Sequence, residues 1–72
     1  MTQYANKGRD SGILAYEINN SKISVKFSDG SIYHYSYDSA GQDNVEQMKK
    51  LAQQGEGLNS FINKYVKFKY VR

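Results

Sequence analysis

Few side chains in this sequence could do covalent or metal chemistry. His34 is the one imidazole, and cysteine is absent. Without Cys there is no thiolate nucleophile, no disulfide and no zinc site that uses sulfur. A single His excludes sites that need two imidazoles and leaves little room for a His-based triad. Ser31 precedes His34 closely, yet at strand spacing the two side chains leave opposite faces, so they make no nucleophile–base pair. Asp38 and Asp43 show no spacing that marks a general acid and base. Gly55-Glu56-Gly57 lacks both the strand–loop–helix setting and the Lys-Ser/Thr end of a phosphate loop. The expectation is a non-enzyme, with no catalytic residue, no metal and no cofactor.

What remains is charge and aromatic surface. The net charge is +3, unevenly spread. Lys7, Arg9 and Lys22 against Asp10 and Glu17 leave residues 1–24 at +1. Lys26 against Asp29, Asp38, Asp43 and Glu46 leaves residues 25–48 at −3. Lys49, Lys50, Lys64, Lys67, Lys69 and Arg72 against Glu56 bring residues 49–72 to +5. A basic end suits an anionic partner through counterion release. Lysines also serve simply to solvate a face or guard a strand edge. Seven tyrosines are present, three of them at Tyr33, Tyr35 and Tyr37.

The elements that position these groups follow from periodicity. With 72 residues the chain makes one domain. Residues 1–10 are polar and aperiodic, which reads as a loose tail without the apolar run of a signal peptide. No stretch approaches the ~20 apolar residues of a membrane span. Ile13 to Ile18 alternates as a strand, with Leu14, Tyr16 and Ile18 on one side. Asn19-Asn20-Ser21 is turn chemistry. Lys22 to Phe27 alternates cleanly, Asp29-Gly30 is a hairpin turn signal, and Ile32 to Tyr37 is a third strand. Asp43 with Glu46, or Ser39 with Gln42, fits a helix start. Val45, Met48 and Ala52 form its apolar stripe, and Gly55 and Gly57 end it. Leu58, Phe61, Ile62 and Tyr65 make the face of a second short helix. Val66, Phe68 and Tyr70 then alternate with Lys67, Lys69 and Val71, as a short terminal strand or as an extension of that helix. The fold expected is α+β: a three-stranded antiparallel meander, then two short helices packed on one sheet face, with a C-terminal fourth strand left open.

The turn at Asp29-Gly30 decides what the tyrosines do. A two-residue loop pairs Ser28 with Ser31 and sets Tyr33, Tyr35 and Tyr37 beside Lys22, Ser24 and Lys26. That is an aromatic, basic platform of the kind that stacks bases. A three-residue loop, with Gly30 as a left-handed bulge, shifts pairing by one and flips every side-chain relation. Val25 then faces Tyr33 and Ile23 faces Tyr35. The tyrosines join the apolar face, and Lys22, Lys26 and His34 share the other. The second register buries more apolar surface, worth ~1.5–3 kcal/mol per large side chain, and is the one expected. The candidate binding surfaces are then Lys22, Lys26 and His34 on the open sheet face, and Lys64, Lys67, Lys69 and Arg72 at the basic end.

Ser11-x-Ile13-x-x-Tyr16, followed by Ile23-x-Val25-x-Phe27-x-x-Gly30-x-x-Tyr33-x-Tyr35, resembles the KTSC domain. Gly55, Leu58-Asn59, Phe61-Ile62 and Tyr65 match its second half. The likeness spans about residues 11–65, with Tyr33-His34-Tyr35 standing at the family's Tyr-x-Tyr motif. Asp38-Ser39-Ala40-Gly41 replaces the family's Val-Pro, and Gln53-Gln54-Gly55 replaces its Ser-Lys-Gly. The resemblance implies a single domain over residues 11–72, of the type appended to some lysyl-tRNA synthetases, with RNA as the suggested partner. Gly30, Tyr33, Tyr35 and Gly55 would be structural in it. The functional expectation is a bacterial, cytoplasmic, monomeric binding module with weak, sequence-tolerant affinity for RNA and no membrane contact. The alternative is a protein–protein interaction module using its aromatic surface or an edge strand.

Overall fold

A computed structural model describes residues 1–7 and 12–71. The order is β1 (Thr2–Gln3), β2 (Ile13–Ile18), β3 (Lys22–Phe27), β4 (Ile32–Ser36), α1 (Tyr37–Ala40), α2 (Gln42–Gln54) and α3 (Leu58–Phe61). A π-helical turn over Ile62–Val66 continues α3 without a break in helical backbone. The sheet is antiparallel in the order β1-β2-β3-β4, and the helices bury its inner face.

The β3–β4 hairpin takes the three-residue loop. Gly30 N–H donates to the Phe27 carbonyl and Phe27 N–H to the Ser31 carbonyl. Gly30 sits at φ 91°, which a side chain would disfavour. The Ser31 amide also donates to Asp29 Oδ1 at 2.9 Å, and that bond holds the Asp29 carboxyl below its ordinary range. The register is Val25 opposite Tyr33 and Ile23 opposite Tyr35, as the burial argument required. Ile23, Val25 and Tyr35 accordingly lie in the core with Val45, Met48 and Leu58.

Three expectations need correction. Leu14 is not on the inner face: it is the extra residue of a bulge in β2, between the pairs Ile13–Phe27 and Ala15–Lys26. The bulge turns Ile13 into the core and leaves Leu14 48% exposed. The fourth strand is N-terminal, not C-terminal. Thr2 and Gln3 pair with Tyr16 and Ala15, and Tyr4, 3% exposed, is a core residue whose phenol oxygen accepts from Leu58 N–H. The start of the presumed loose tail is thus tied down. The rest of it, residues 8–10, lies outside the described residues.

At the other end neither alternative is met: the helical run stops at Val66, and residues 67–71 are neither helix nor strand. Leu58, Ile62 and Val66 are buried at a spacing of four, which the wider i→i+5 turn brings onto one line. That turn carries Tyr65 off the buried face. Beyond it, Val71 N–H donates to the His34 carbonyl at 2.6 Å.

The start of the helical layer also differs. Ser36 and Ser39 form a reciprocal capping box on α1, and Gly41 separates α1 from α2. Asp43 lies inside the first turn of α2, where its charge suits the helix dipole, rather than at the cap.

Candidate nucleic-acid interface

The sheet brings Lys22, Lys26 and His34 together on the face away from the helices. Lys22 and Lys26 flank Ser24 along β3, and His34 lies directly opposite Ser24 on β4. Ser24 Oγ and His34 Nδ1 are 2.6 Å apart. Sequence reasoning considered Ser31 as the serine for this imidazole; the cross-strand register supplies Ser24 instead. Ser24 is only 3% exposed, and β3 is paired on both sides. Its hydroxyl is covered, and the contact fixes the orientation of the imidazole ring. Glu17 is opposite Ser24 on β2 and therefore shares this face. Its carboxylate offsets part of the positive field of the two lysines.

The basic end is built differently. Tyr65 is 51% exposed and Phe68 68% exposed. Lys64 Nζ stands 5.4 Å from the Tyr65 ring centre, and Lys67 Nζ stands 5.4 Å from that of Phe68. Tyr65 also packs on Phe61, with ring centres 4.9 Å apart, which steadies its plane. Lys64, Tyr65, Lys67, Phe68 and Lys69 surround an open trough of about 290 Å³. Cations and aromatic faces therefore alternate around one concavity. Arg72, the fourth cation expected here, lies outside the described residues, as does Ser11 of the family likeness.

A second hollow of about 240 Å³ adjoins the trough. Phe27, Tyr33 and Tyr35 line its sheet side, and Ile62, Phe68 and Tyr70 line the other. Asn63, Lys67 and Phe68 border both hollows. Tyr33 packs against Phe27 in an edge arrangement at 5.6 Å and against Tyr70 at 4.8 Å. No carboxylate is found among the described residues lining either hollow.

Of the positions singled out by the KTSC resemblance, Tyr35 lies in the core and Gly30 sits in the hairpin loop at positive φ. Gly55 is also fixed by its backbone. It takes φ 82° as the C-cap of α2, and a Cβ built there would lie 2.5 Å from Ala5 Cβ. Tyr33 differs, since its ring is partly exposed and forms a groove wall. Tyr65 and Phe68 were missed as surface residues. Their alternation with lysines was visible, but both were assigned to apolar faces.

Lys49 belongs to neither surface. It donates to Glu46 Oε2 at 2.7 Å and to the Asn20 carbonyl at 3.0 Å, tying α2 to the β2–β3 turn. The Tyr37 hydroxyl donates to the same Glu46 oxygen at 2.6 Å. Lys49 first, then Tyr37, holds the Glu46 carboxyl below its ordinary range.

Among the described residues there is no group of three or more His, Asp or Glu side chains placed to hold a metal, and no helix long and apolar enough to cross a membrane. Comparison with known protein families, curated proteins and solved structures finds no match. The KTSC likeness thus rests on the ordered residues alone.

Proposed function

We propose that this chain is a non-catalytic module that binds single-stranded nucleic acid, RNA in particular, through its basic C-terminal trough. The observation that carries the reading is the alternation of Lys64, Tyr65, Lys67, Phe68 and Lys69 around one concavity. Single-strand binders combine cations that follow the phosphates with exposed rings on which bases stack. The open sheet face is the weaker candidate, because Glu17 competes there with Lys22 and Lys26. The KTSC likeness, with RNA its suggested partner, points the same way.

A titration of labelled single-stranded RNA over a range of salt tests this. Three phosphate contacts give a slope of log K against log salt near −2, at about −0.7 per contact. Lys67→Gln should flatten that slope by about 0.7. Lys22→Gln should leave it unchanged. Folded protein that shows no binding at low salt would end the proposal.

A second reading has one observation in its favour. β4 is an edge strand whose Ile32 is exposed, and the terminal segment reaches it through the Val71–His34 backbone bond. A partner strand could take that edge. Protection of the β4 amides by a protein ligand, with no response to RNA, would favour it.

A further inference from the structure

We infer that the apolar hollow beside the trough is a slot for one nucleobase of the bound strand. This rests on the nucleic-acid reading and makes it more specific: the trough follows the backbone, and the slot takes a base out of the stack.

Size is the first support. About 240 Å³ lies below the ~300–1,000 Å³ of sites for drug-sized ligands. It suits a single flat ring system. Wall chemistry is the second. Tyr33, Phe68 and Tyr70 line the hollow, and Phe68 borders the trough as well. Aromatic walls favour a planar, polarisable ring over a branched aliphatic group. The third is the polar complement. Among the described residues bordering the hollow Asn63 carries a side-chain amide, which offers both a donor and an acceptor to a base edge. Charge is the fourth. Lys67 borders both hollows, so a phosphate attached to a base in the slot would meet an ammonium at the junction, with no carboxylate in either lining to repel it. An uncharged aromatic ligand would leave this cation unused.

The test compares a short oligouridylate RNA with the same strand carrying abasic sites in place of its bases. The 72-residue chain is used whole, and binding is followed by fluorescence anisotropy at low salt. The slot and the trough rings together predict that loss of the bases weakens binding at least about tenfold, the range for one stacked base being the minimum. Asn63→Ala and Tyr33→Leu should each weaken the intact strand and leave the abasic strand unchanged. Asn63 is exposed on the helix, so its variant tests the slot even if Tyr33→Leu is poorly folded. Chemical-shift changes on adding uridine monophosphate should centre on Tyr33, Asn63 and Lys67. Equal binding of the intact and abasic strands would overturn the slot and base stacking on Tyr65 and Phe68 alike, leaving only the phosphate contacts of the trough. A loss on the abasic strand with no effect of Tyr33→Leu on the intact strand would overturn the slot and leave stacking in the trough standing. Failure of both strands to bind would remove the trough as well. Displacement of bound RNA by a neutral peptide that shifts Tyr33 and Tyr70 would reassign the hollow to a protein ligand.

Discussion

Tyr35 is the side chain whose position has the clearest chemical consequence. Burial, with the Tyr33 and Tyr70 phenols nearby, pushes its hydroxyl from 10.0 to about 12. The folded state therefore holds the neutral phenol more firmly than the unfolded chain does. Below pH 10 both states are protonated and stability is unaffected. Between pH 10 and about 12 the unfolded chain loses the proton first, so stability falls as pH rises. Denaturant melts across that window should show the decline, and Tyr35→Phe should flatten it. An equal slope in that variant would mean that another group is responsible. A tyrosinate absorbance titration should also show Tyr35 ionising late. The inward position of Tyr35 was legible from the sequence, because alternation and the Asp29-Gly30 turn left one register that separates Ile23, Val25 and Tyr35 from the lysines. The outward turn of Leu14 was not legible. A bulge leaves no mark on alternation when both neighbours, Ile13 and Ala15, are apolar.

At the level of elements, the π-helical turn governs the site. An α-helical continuation from Leu58 would place Tyr65 near the buried line, seven residues on. The wider turn substitutes Val66, and Tyr65 is released to the surface. Val66→Ala should accordingly destabilise by about 1–3 kcal/mol, as a buried truncation. Tyr65→Ala should cost under ~1 kcal/mol, as a surface change that also loses the Phe61 ring contact. Urea denaturation of both variants decides this. A larger loss for Tyr65 would return that ring to the core and remove one wall of the trough. This exchange explains why the lysines of the site could be read from composition and its aromatic residues could not. Lys64, Lys67 and Lys69 face water in either helix or strand. The direction of Tyr65 depends on one local change of helical pitch, for which periodicity carries no signal.

Across the whole molecule, the N-terminal segment acts as a strap. β1 joins the sheet at β2, Tyr4 enters the core, and Lys7 N–H donates to the Gly55 carbonyl at 2.7 Å. The close approach of Ala5 to Gly55 leaves no room for a side chain on α2's C-cap. Gly55→Ala should cost about 2–4 kcal/mol, from left-handed backbone strain and overpacking together. Adding Ala5→Gly should recover the overpacking part and leave the backbone part. An additive result in this double-mutant cycle would mean that the strap does not press on Gly55. Natural domains are stable by roughly 0.05–0.15 kcal/mol per residue, so such a loss is a large share of the total for a chain this short. Polar, aperiodic residues 1–10 concealed the strap, because a two-residue strand is too short for alternation to show. Only Tyr4 hinted that the segment had something to bury.

The bond between the Tyr4 phenol and the Leu58 amide spans 54 positions of sequence. During synthesis Tyr4 emerges well before the helices that enclose it. The hairpins can form as they emerge, but the first strand must wait with its aromatic ring uncovered until α2 and α3 exist. Closure of the core therefore waits for Leu58, and a nascent chain stalled before Gly55 would present that ring to chaperones.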